Sequence, residues 1–288
     1  MQWFILAFAA IVVIVGALAL LHHQMVNVEP FRMSITRHTV SDPDLPDHLD
    51  GLTICQVSDL HITAHGRNKD AIAEALRTVT ADIYVLTGDM IYQEAGIPVF
   101  LSWFDALGDK IRPCVAIQGN AEHKPYVNAE KLLVGLESRQ VPVLNNAVYC
   151  FPWRGSELQI VGVDDPVTAY DNFDRAYSSA SLNTWTLLLC HTPEGVLKLR
   201  GKRADLMLTG HTHGGQVRFP IVGAVFNNTR YVKGLVMGWY GGEMLSKKAK
   251  FDVGKTRLYV SRGLGMSRFP GRLLCQPEIA IFTLTKQA

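Results

Sequence analysis

The sequence has little charge and almost no imbalance between positive and negative residues. Its 28 Lys and Arg residues face 26 Asp and Glu residues, which leaves a formal net charge of +2 over 288 residues. A nucleic-acid-binding protein is expected to carry a strongly basic face, so no nucleic acid is expected as a partner. Charged residues make up 19% and hydrophobic residues 48% of the chain, which excludes a disordered protein.

Cysteines are few, and none are paired in a Cys-x-x-Cys sequence. Their odd number, five, argues against a disulfide framework, and the missing close spacing argues against a structural zinc site on thiolates. All except Cys275 lie in or beside apolar runs typical of strands. We expect buried free thiols, as in a reducing compartment. The cysteines are Cys55, Cys114, Cys150, Cys190 and Cys275.

Charge and proline are both absent from the run Trp3–Leu21. The run is close to the ~20 residues that a helix needs to cross a bilayer core. A cleaved signal peptide is the alternative, since Ala17-Leu18-Ala19 resembles a cleavage site, but the start of the chain lacks the basic residues of a signal peptide. We therefore predict an uncleaved membrane anchor over 1–25 and a single domain over 26–288, because no repeat or linker divides the remainder.

The orientation of this anchor depends on few charges. Arg32 and Arg37 lie on its C-terminal side, and none lies before it. The positive-inside rule then predicts a single-pass protein of the inner membrane with its domain in the cytoplasm. The lipid bilayer is thus an expected partner.

Short apolar runs alternate with helical patterns through the rest of the chain. A first strand is predicted over 26–40, and helices at 67–79 and near 97–107. The alternation predicts an α/β protein with a largely parallel core. Further strands are predicted at 52–57, 83–87, 114–118, 147–151, 158–163, 186–190 and 204–209.

Polar residues with metal-binding side chains follow five of these strands directly. Each motif alone is explained by a turn or a helix cap. Together, four His, two Asp and one Asn would meet at one edge of the sheet, where open α/β sheets place their sites. Nitrogen and oxygen donors without thiolate suit one or two ions such as Mn, Fe or Zn. The i, i+2 spacing within two motifs would point both side chains the same way in an extended segment. The motifs are Asp59-x-His61, Gly88-Asp89, Gly119-Asn120, His191 and Gly210-His211-x-His213.

This order of motifs resembles the calcineurin-like metallophosphoesterase superfamily, and the resemblance runs over residues 52–215. It implies a two-sheet β-sandwich flanked by helices, with two divalent metal ions at the strand ends. It also implies catalytic roles for Asp89, Asn120 and His191, in a reaction where two ions hold phosphoryl oxygens and activate water. One ion would be held by Asp59, His61, Asp89 and His213, and the other by Asp89, Asn120, His191 and His211.

Further stretches resemble one membrane-associated branch of that superfamily. They are Gly162–Pro166, His191–Pro193, Gly210–Pro220, Ser261–Gly265 and Pro277–Ile279. The branch includes a UDP-2,3-diacylglucosamine pyrophosphatase of lipid A biosynthesis. The resemblance therefore implies hydrolysis of a phosphodiester or pyrophosphate bond in a lipid-linked substrate. A phosphodiesterase on soluble esters is the first alternative.

The sequence departs from the family pattern at Ala121, where the usual motif Gly-Asn-His-Glu/Asp has His. That His assists the leaving group, and losing such a group costs roughly 10²–10⁴-fold in rate. Adaptation to activated substrates, replacement by His123 or His65, or an inactivating change would each explain the alanine. A catalytically weak, metal-binding scaffold is accordingly the second alternative.

Two further sets of residues are predicted to contact substrate or membrane. His65, His123, Arg262 and Arg268 are candidate substrate contacts, since Arg binds phosphate in a bidentate manner; Arg218 and Arg272 are weaker candidates. The segment 219–251 mixes apolar, aromatic and basic residues. It suits either a flap on an anionic membrane surface or an ordinary hairpin packed on the core.

Overall fold

The computed structural model describes residues 1–226 and 228–286. Its helices are α1 Gln2–His23, α2 Lys69–Arg77, α3 Ile97–Leu107, α4 Ala129–Glu137, α5 Phe173–Ala176 and α6 Gly242–Ala249. Its strands are β1 Ser34–Ser41, β2 Thr53–Val57, β3 Ile83–Thr87, β4 Cys114–Ile117, β5 Ala147–Trp153, β6 Ser156–Val163, β7 Thr186–Cys190, β8 Leu206–Thr209, β9 Arg218–Phe219, β10 Gly223–Ala224, β11 Gly238–Tyr240, β12 Arg257–Val260 and β13 Glu278–Thr285.

Two large sheets form the domain. The first has the order β1-β13-β2-β3-β4 and the second the order β11-β12-β8-β7-β6-β5. Pairs in the middle of each sheet, such as β2/β3 and β7/β8, are parallel, as the alternating pattern predicts. The C-terminal strand β13 lies between β1 and β2 and runs antiparallel to β2, so the first sheet is mixed.

The central strands are buried on both faces, which explains their uninterrupted apolar sequences. On β2, Ile54 packs into the cluster between the two sheets, where Leu187 and Leu208 lie opposite. The next residue, Cys55, packs on the other face with residues of α2 and α3 such as Ile72 and Phe100. The second sheet is covered in the same way by α5 and α6. The predicted fold, a two-sheet sandwich flanked by helices, is confirmed.

Helix α1 stands apart from this core. None of its residues is buried, and within the described residues it is the one helix long and apolar enough to cross a membrane. The chain stays helical beyond α1, through Phe31, and β1 begins at Ser34. The prediction of a strand from residue 26 is therefore wrong in its first part. These helical turns are held by the 272–275 loop, since Arg272 N donates to Met25 O and Cys275 N donates to the Glu29 carboxylate.

All five cysteines are free, and four of them are buried. Cys150 is exposed, so the prediction of a buried thiol is wrong there. It lies on β5, the edge strand of the second sheet, where alternate side chains face solvent. Cys275, which lies outside the predicted strands, is also buried and donates to His213 O.

The segment 219–251 is divided between core and surface. Val232, Leu235 and Leu245 are fully buried, as in an ordinary packed loop. The tip of the β9–β10 hairpin instead carries Ile221 and Val222, both highly exposed. A membrane-facing role stays a prediction for this tip.

Candidate metal centre and cleft

Seven predicted ligand side chains lie together at one edge of the sandwich. They follow β2, β3, β4, β7 and β8, whose C-terminal ends meet there. Two groups have donor atoms within 4.8 Å of one another: Asp59 with His61 and His213, and Asp89 with His191 and His211. Asn120 lies beside them in the same cleft.

Asp89 lies between the two groups and directs one carboxylate oxygen to each. Its Oδ2 atom is 3.3 Å from His61 Nε2, and its Oδ1 atom is 3.4 Å from His191 Nε2. His61 Nε2 is in turn 3.0 Å from His213 Nε2. The carboxylate of Asp89 is therefore positioned to serve both groups at once.

The orientation of His191 fits a bound cation. Its Nδ1 atom donates to Thr87 O at 2.8 Å, so a neutral ring has its lone pair on Nε2, facing the Asp89 carboxylate. A lone pair and a carboxylate repel each other unless a positive charge lies between them. His191 Nε2 and Asn120 Oδ1 are also buried and have no hydrogen-bond partner among the described residues, although buried polar atoms are normally paired. The residues present thus fit metal ions.

Burial keeps three of the four imidazoles neutral. It lowers the pKa of His61 and of His211 to about 4, and holds the pKa of His213 well below its usual value. Neutral imidazole is the form that binds a metal ion. Burial also raises the pKa of Asp59 to about 6, so this carboxyl is largely ionised at pH 7.

Asp89 and His191 behave as a pair. Burial alone would raise the pKa of Asp89 and lower the pKa of His191, but their mutual attraction acts in the opposite direction. The net result is a pKa of Asp89 below its usual value and a pKa of His191 above it. Without a metal ion, the pair therefore favours a protonated His191 beside an ionised Asp89.

Ligand residues adopt unusual backbone conformations. Asp59, His61, Asp89, His211 and His213 all have positive φ angles, between 44° and 69°. Such angles are uncommon outside glycine and cluster at functional sites. The paired ligands are therefore brought together by left-handed turns, and the extended geometry expected from the i, i+2 spacing is wrong.

Glycines permit close approach around the acidic ligands. A Cβ atom on Gly119 would lie 2.4 Å from Asp89 Oδ1, and one on Gly210 would lie 2.2 Å from Asp59 Oδ2. Neither distance is possible for a real side chain, so any other residue would displace a ligand.

Sequence reasoning missed the residues that hold these ligands in place. Glu122, which the sequence alone does not distinguish from a surface residue, is buried and accepts backbone N–H groups of Asp89, Met90, Ile91 and Gly119 at 2.8–3.3 Å. Ser58 Oγ donates to Asp59 Oδ2 at 2.6 Å. The one sequence signal for this role is that Glu122 occupies the last position of the motif Gly119-Asn120-Ala121-Glu122.

The centre lies in an open cleft of about 620 Å³. His123 and Arg268 line this cleft, while His65 lines a neighbouring groove. Arg262 lies in neither lining and pairs with Glu278 at 3.1 Å. Arg272 is fully buried and donates to backbone carbonyls, among them Gly265 O, so its role is structural.

The residue that departs from the family pattern lies directly against the centre. Ala121 is fully buried, and its N–H donates to Asp89 Oδ1 at 2.6 Å. His123, an imidazole of the cleft lining that is not a predicted ligand, bonds to Asp164 Oδ1 at 2.6 Å through Nε2 and stacks on Tyr170 at 4.0 Å.

A two-sheet sandwich with these donors at its edge defines a metallophosphoesterase. A family model described as Calcineurin-like phosphoesterase matches residues 52–215, and the chain belongs to that family. The resemblance seen in the sequence motifs is confirmed.

Three relatives align over most of their length. The chain is 30% identical to the uncharacterized metallophosphoesterase YkuE of Bacillus subtilis (strain 168), over 89% of this chain and 87% of that protein. It is 28% identical to the phosphodiesterase YaeI of Escherichia coli (strain K12), over 89% and 90%. It is 24% identical to the UDP-2,3-diacylglucosamine pyrophosphatase LpxG of Chlamydia trachomatis serovar D, over 83% and 85%.

Proposed function

We propose that this protein is a dinuclear metal-dependent hydrolase that cleaves a phosphodiester or pyrophosphate bond in a lipid-linked substrate such as UDP-2,3-diacylglucosamine. The observation that carries the proposal is the position of Asp89, whose two oxygens face His61 and His191 in separate ligand groups. One relative is named for this pyrophosphatase activity.

In this proposal, one set of side chains in the cleft binds the metal ions and another set binds the substrate. When bound, two divalent ions would polarise the phosphoryl group and lower the pKa of a water molecule. The nitrogen and oxygen donors suit Mn, Fe or Zn. Asp89, Asn120 and His191 are the catalytic residues in this proposal. The metal-holding set is Asp59, His61, Asp89, Asn120, His191, His211 and His213.

Arg268 and His123 would orient the substrate. Arg268 is exposed at the cleft and forms no ion pair with any described residue, so its guanidinium is available for a phosphate. His123 is held by Asp164 and therefore presents a fixed imidazole to the cleft.

The proposal places the protein in the inner membrane, with α1 as a single span and the domain on the cytoplasmic side. It is supported by the exposed, apolar surface of α1 and by Arg32 and Arg37 after it. A domain held at the bilayer reaches a substrate whose hydrocarbon chains stay in the membrane.

Hydrolysis of soluble esters is the second candidate function, because a relative named as a phosphodiesterase aligns over nearly the same length. Purified full-length protein loaded with Mn should hydrolyse both UDP-2,3-diacylglucosamine and bis-p-nitrophenyl phosphate if the proposal holds. Activity on the soluble ester alone would favour the second candidate. Metal binding without activity on either compound would favour a scaffold.

Asp89→Asn serves as the negative variant in this assay. Asp174→Asn is the matched control, since Asp174 is an exposed carboxylate that pairs with Lys202 and is not part of the cleft lining. Loss of activity in the first variant and not in the second ties hydrolysis to the centre.

A further inference from the structure

A second cavity, of about 450 Å³, adjoins the cleft. Its apolar lining includes Ile62, Met266, Phe269 and Pro270, and its volume lies within the range of ligand sites. His61, Tyr92, Ser267 and Arg268 line both cavities. We call this second cavity the anchor-side groove. It is continuous with the cleft at a metal-ligand residue.

The wall of the groove is tied to the residues that follow α1. Arg67, which lines the groove, donates from Nη2 to Val26 O at 3.0 Å and to Asn27 Oδ1 at 2.9 Å. Its guanidinium also lies 5.6 Å from the ring centroid of Phe31. The groove therefore passes beside the point where the apolar helix joins the domain.

The opposite wall is fixed by a buried amide. Gln216 Nε2 donates to Phe269 O at 2.6 Å and to Gly271 O at 2.9 Å, and its Oε1 accepts Ser267 N at 3.0 Å. Gln216 comes just before the hairpin whose tip exposes Ile221. The loop 266–271 is thus held between the hairpin and the end of α1.

We infer that the anchor-side groove binds one hydrocarbon chain, acyl or isoprenoid, of a lipid phosphoester whose phosphate lies in the cleft, an inference that rests on the proposed function. The exposed lining is mainly apolar, although Arg67 and Lys69 also contribute to it. Arg67 is bonded to Val26 and Asn27, and Lys69 pairs with Asp70. Arg268, where the groove meets the cleft, forms no ion pair with a described residue. This order matches a lipid with an anionic head and an apolar tail. A chain along this path would leave the cleft toward α1, the predicted membrane span.

Photochemical labelling tests the path of the chain. The full-length protein is reconstituted in phosphatidylcholine vesicles that contain phosphatidic acid with a diazirine at the end of one acyl chain. We expect labelled peptides from 62–69 and 266–270, together with α1, which serves as a reference for bulk lipid. Vanadate, a soluble phosphate mimic, should reduce the label in the groove and leave the label in α1 unchanged. Label confined to α1, or a groove label that vanadate does not reduce, would overturn the inference.

Chain length gives a second, kinetic test. p-Nitrophenyl octyl phosphate and p-nitrophenyl methyl phosphate differ only in the chain, and each buried methylene strengthens binding by up to about fourfold. The kcat/KM ratio, octyl over methyl, should reach roughly 10-fold or more. Met266→Asp should bring it close to 1, because the chain would then meet a carboxylate. The control Val134→Asp, at an exposed apolar position on α4, should leave the ratio as in the wild type.

The proposed hydrolase function and the inferred chain binding in the anchor-side groove are contradicted by different results. Metal-dependent hydrolysis of the methyl ester without a preference for the octyl chain would overturn the inference and leave the proposed function standing. No hydrolysis of either ester by metal-loaded protein would count against both. A preference that Met266→Asp leaves unchanged would assign the chain to another surface.

Discussion

Nε2 of His191 lies 3.4 Å from Oδ1 of Asp89, although its other ring nitrogen already donates to a backbone carbonyl. A neutral His191 would therefore direct its lone pair at a carboxylate. A metal ion between the two atoms removes this repulsion, and a proton does so in its absence. Because the other oxygen of Asp89 lies 3.3 Å from His61 Nε2, its carboxylate faces both ligand groups, and the bridging role proposed for it can be tested.

Asp89→Asn should remove most of the metal from both groups. The amide keeps the shape of the side chain but loses the charge that attracts two cations. Elemental analysis of protein purified without chelators should show up to two ions per chain in the wild type and in Asp174→Asn. Full metal content in Asp89→Asn would refute the bridging role.

Glu122→Gln should destabilise the protein in the absence of metal. The carboxylate accepts three backbone N–H groups of the loop that carries Asp89, and an amide replaces one acceptor oxygen with a donor. A buried donor left without a partner costs about 1–3 kcal/mol in free energy of unfolding. Denaturant unfolding measures the change in free energy of unfolding. Glu130→Gln, at an exposed position, is the control. Equal stability of the two variants would contradict the role assigned to Glu122.

The His123–Asp164 pair should make stability depend on pH. Burial alone would lower the pKa of His123, but the hydrogen bond and charge of Asp164 raise it above the usual 6.5. Because the folded-state pKa is the higher one, the pair stabilises the fold fully below pH 6.5, and this contribution is lost as pH rises through the folded-state pKa. Asp164→Asn should remove the dependence.

NMR titration of the His123 ring checks this directly. The pKa of His123 should fall in Asp164→Asn and stay unchanged in Asp174→Asn. An unchanged value in Asp164→Asn would mean that other charges hold the proton on His123.

Rates should depend steeply on the leaving group, because Ala121 supplies no proton to it. Losing an acid costs roughly 10²–10⁴-fold for poor leaving groups and much less for good ones. A series of aryl phosphodiesters of graded phenol pKa measures the slope. A shallow slope that becomes steep in His123→Gln would show that His123 supplies the proton. Restoring His at position 121 is the weaker test, since Ala121 is fully buried and the larger ring would need space.

The hairpin tip should add to membrane binding by α1. Full-length protein should resist a carbonate wash, whereas a chain beginning at Gln24, which keeps the helical turns packed on the domain, should bind phosphatidylglycerol vesicles only weakly. In that shortened chain Ile221→Asp should weaken sedimentation with vesicles further, and Leu182→Asp, another exposed apolar position, should not. Equal effects of both changes would exclude a specific role for the tip.

The features that could be predicted from the sequence are those that depend on neighbouring residues in the chain. Asp59, Asp89 and His191 each follow an apolar run directly, so their place at strand ends could be predicted. The role of Glu122 could not, because it depends on which backbone groups a turn brings near its carboxylate. The exposure of Cys150 also depends on the order of strands, since only an edge position leaves that face of β5 uncovered.

The place of β13 constrains the order in which the chain can fold. Residues 278–285 separate β1 from β2, so the N-terminal strand has no partner in its sheet until the last strand has been synthesised. The helical turns after α1 likewise cannot form their hydrogen bonds with Arg272 and Cys275 until those residues have been synthesised. A nascent chain whose first helix had already entered a bilayer would therefore carry an unpaired strand next to the membrane until residues 278–285 have been synthesised, a period in which such an edge can pair wrongly. Loss of residues 278–285 would therefore leave β1 without the strand that joins it to β2, and the first sheet could not close.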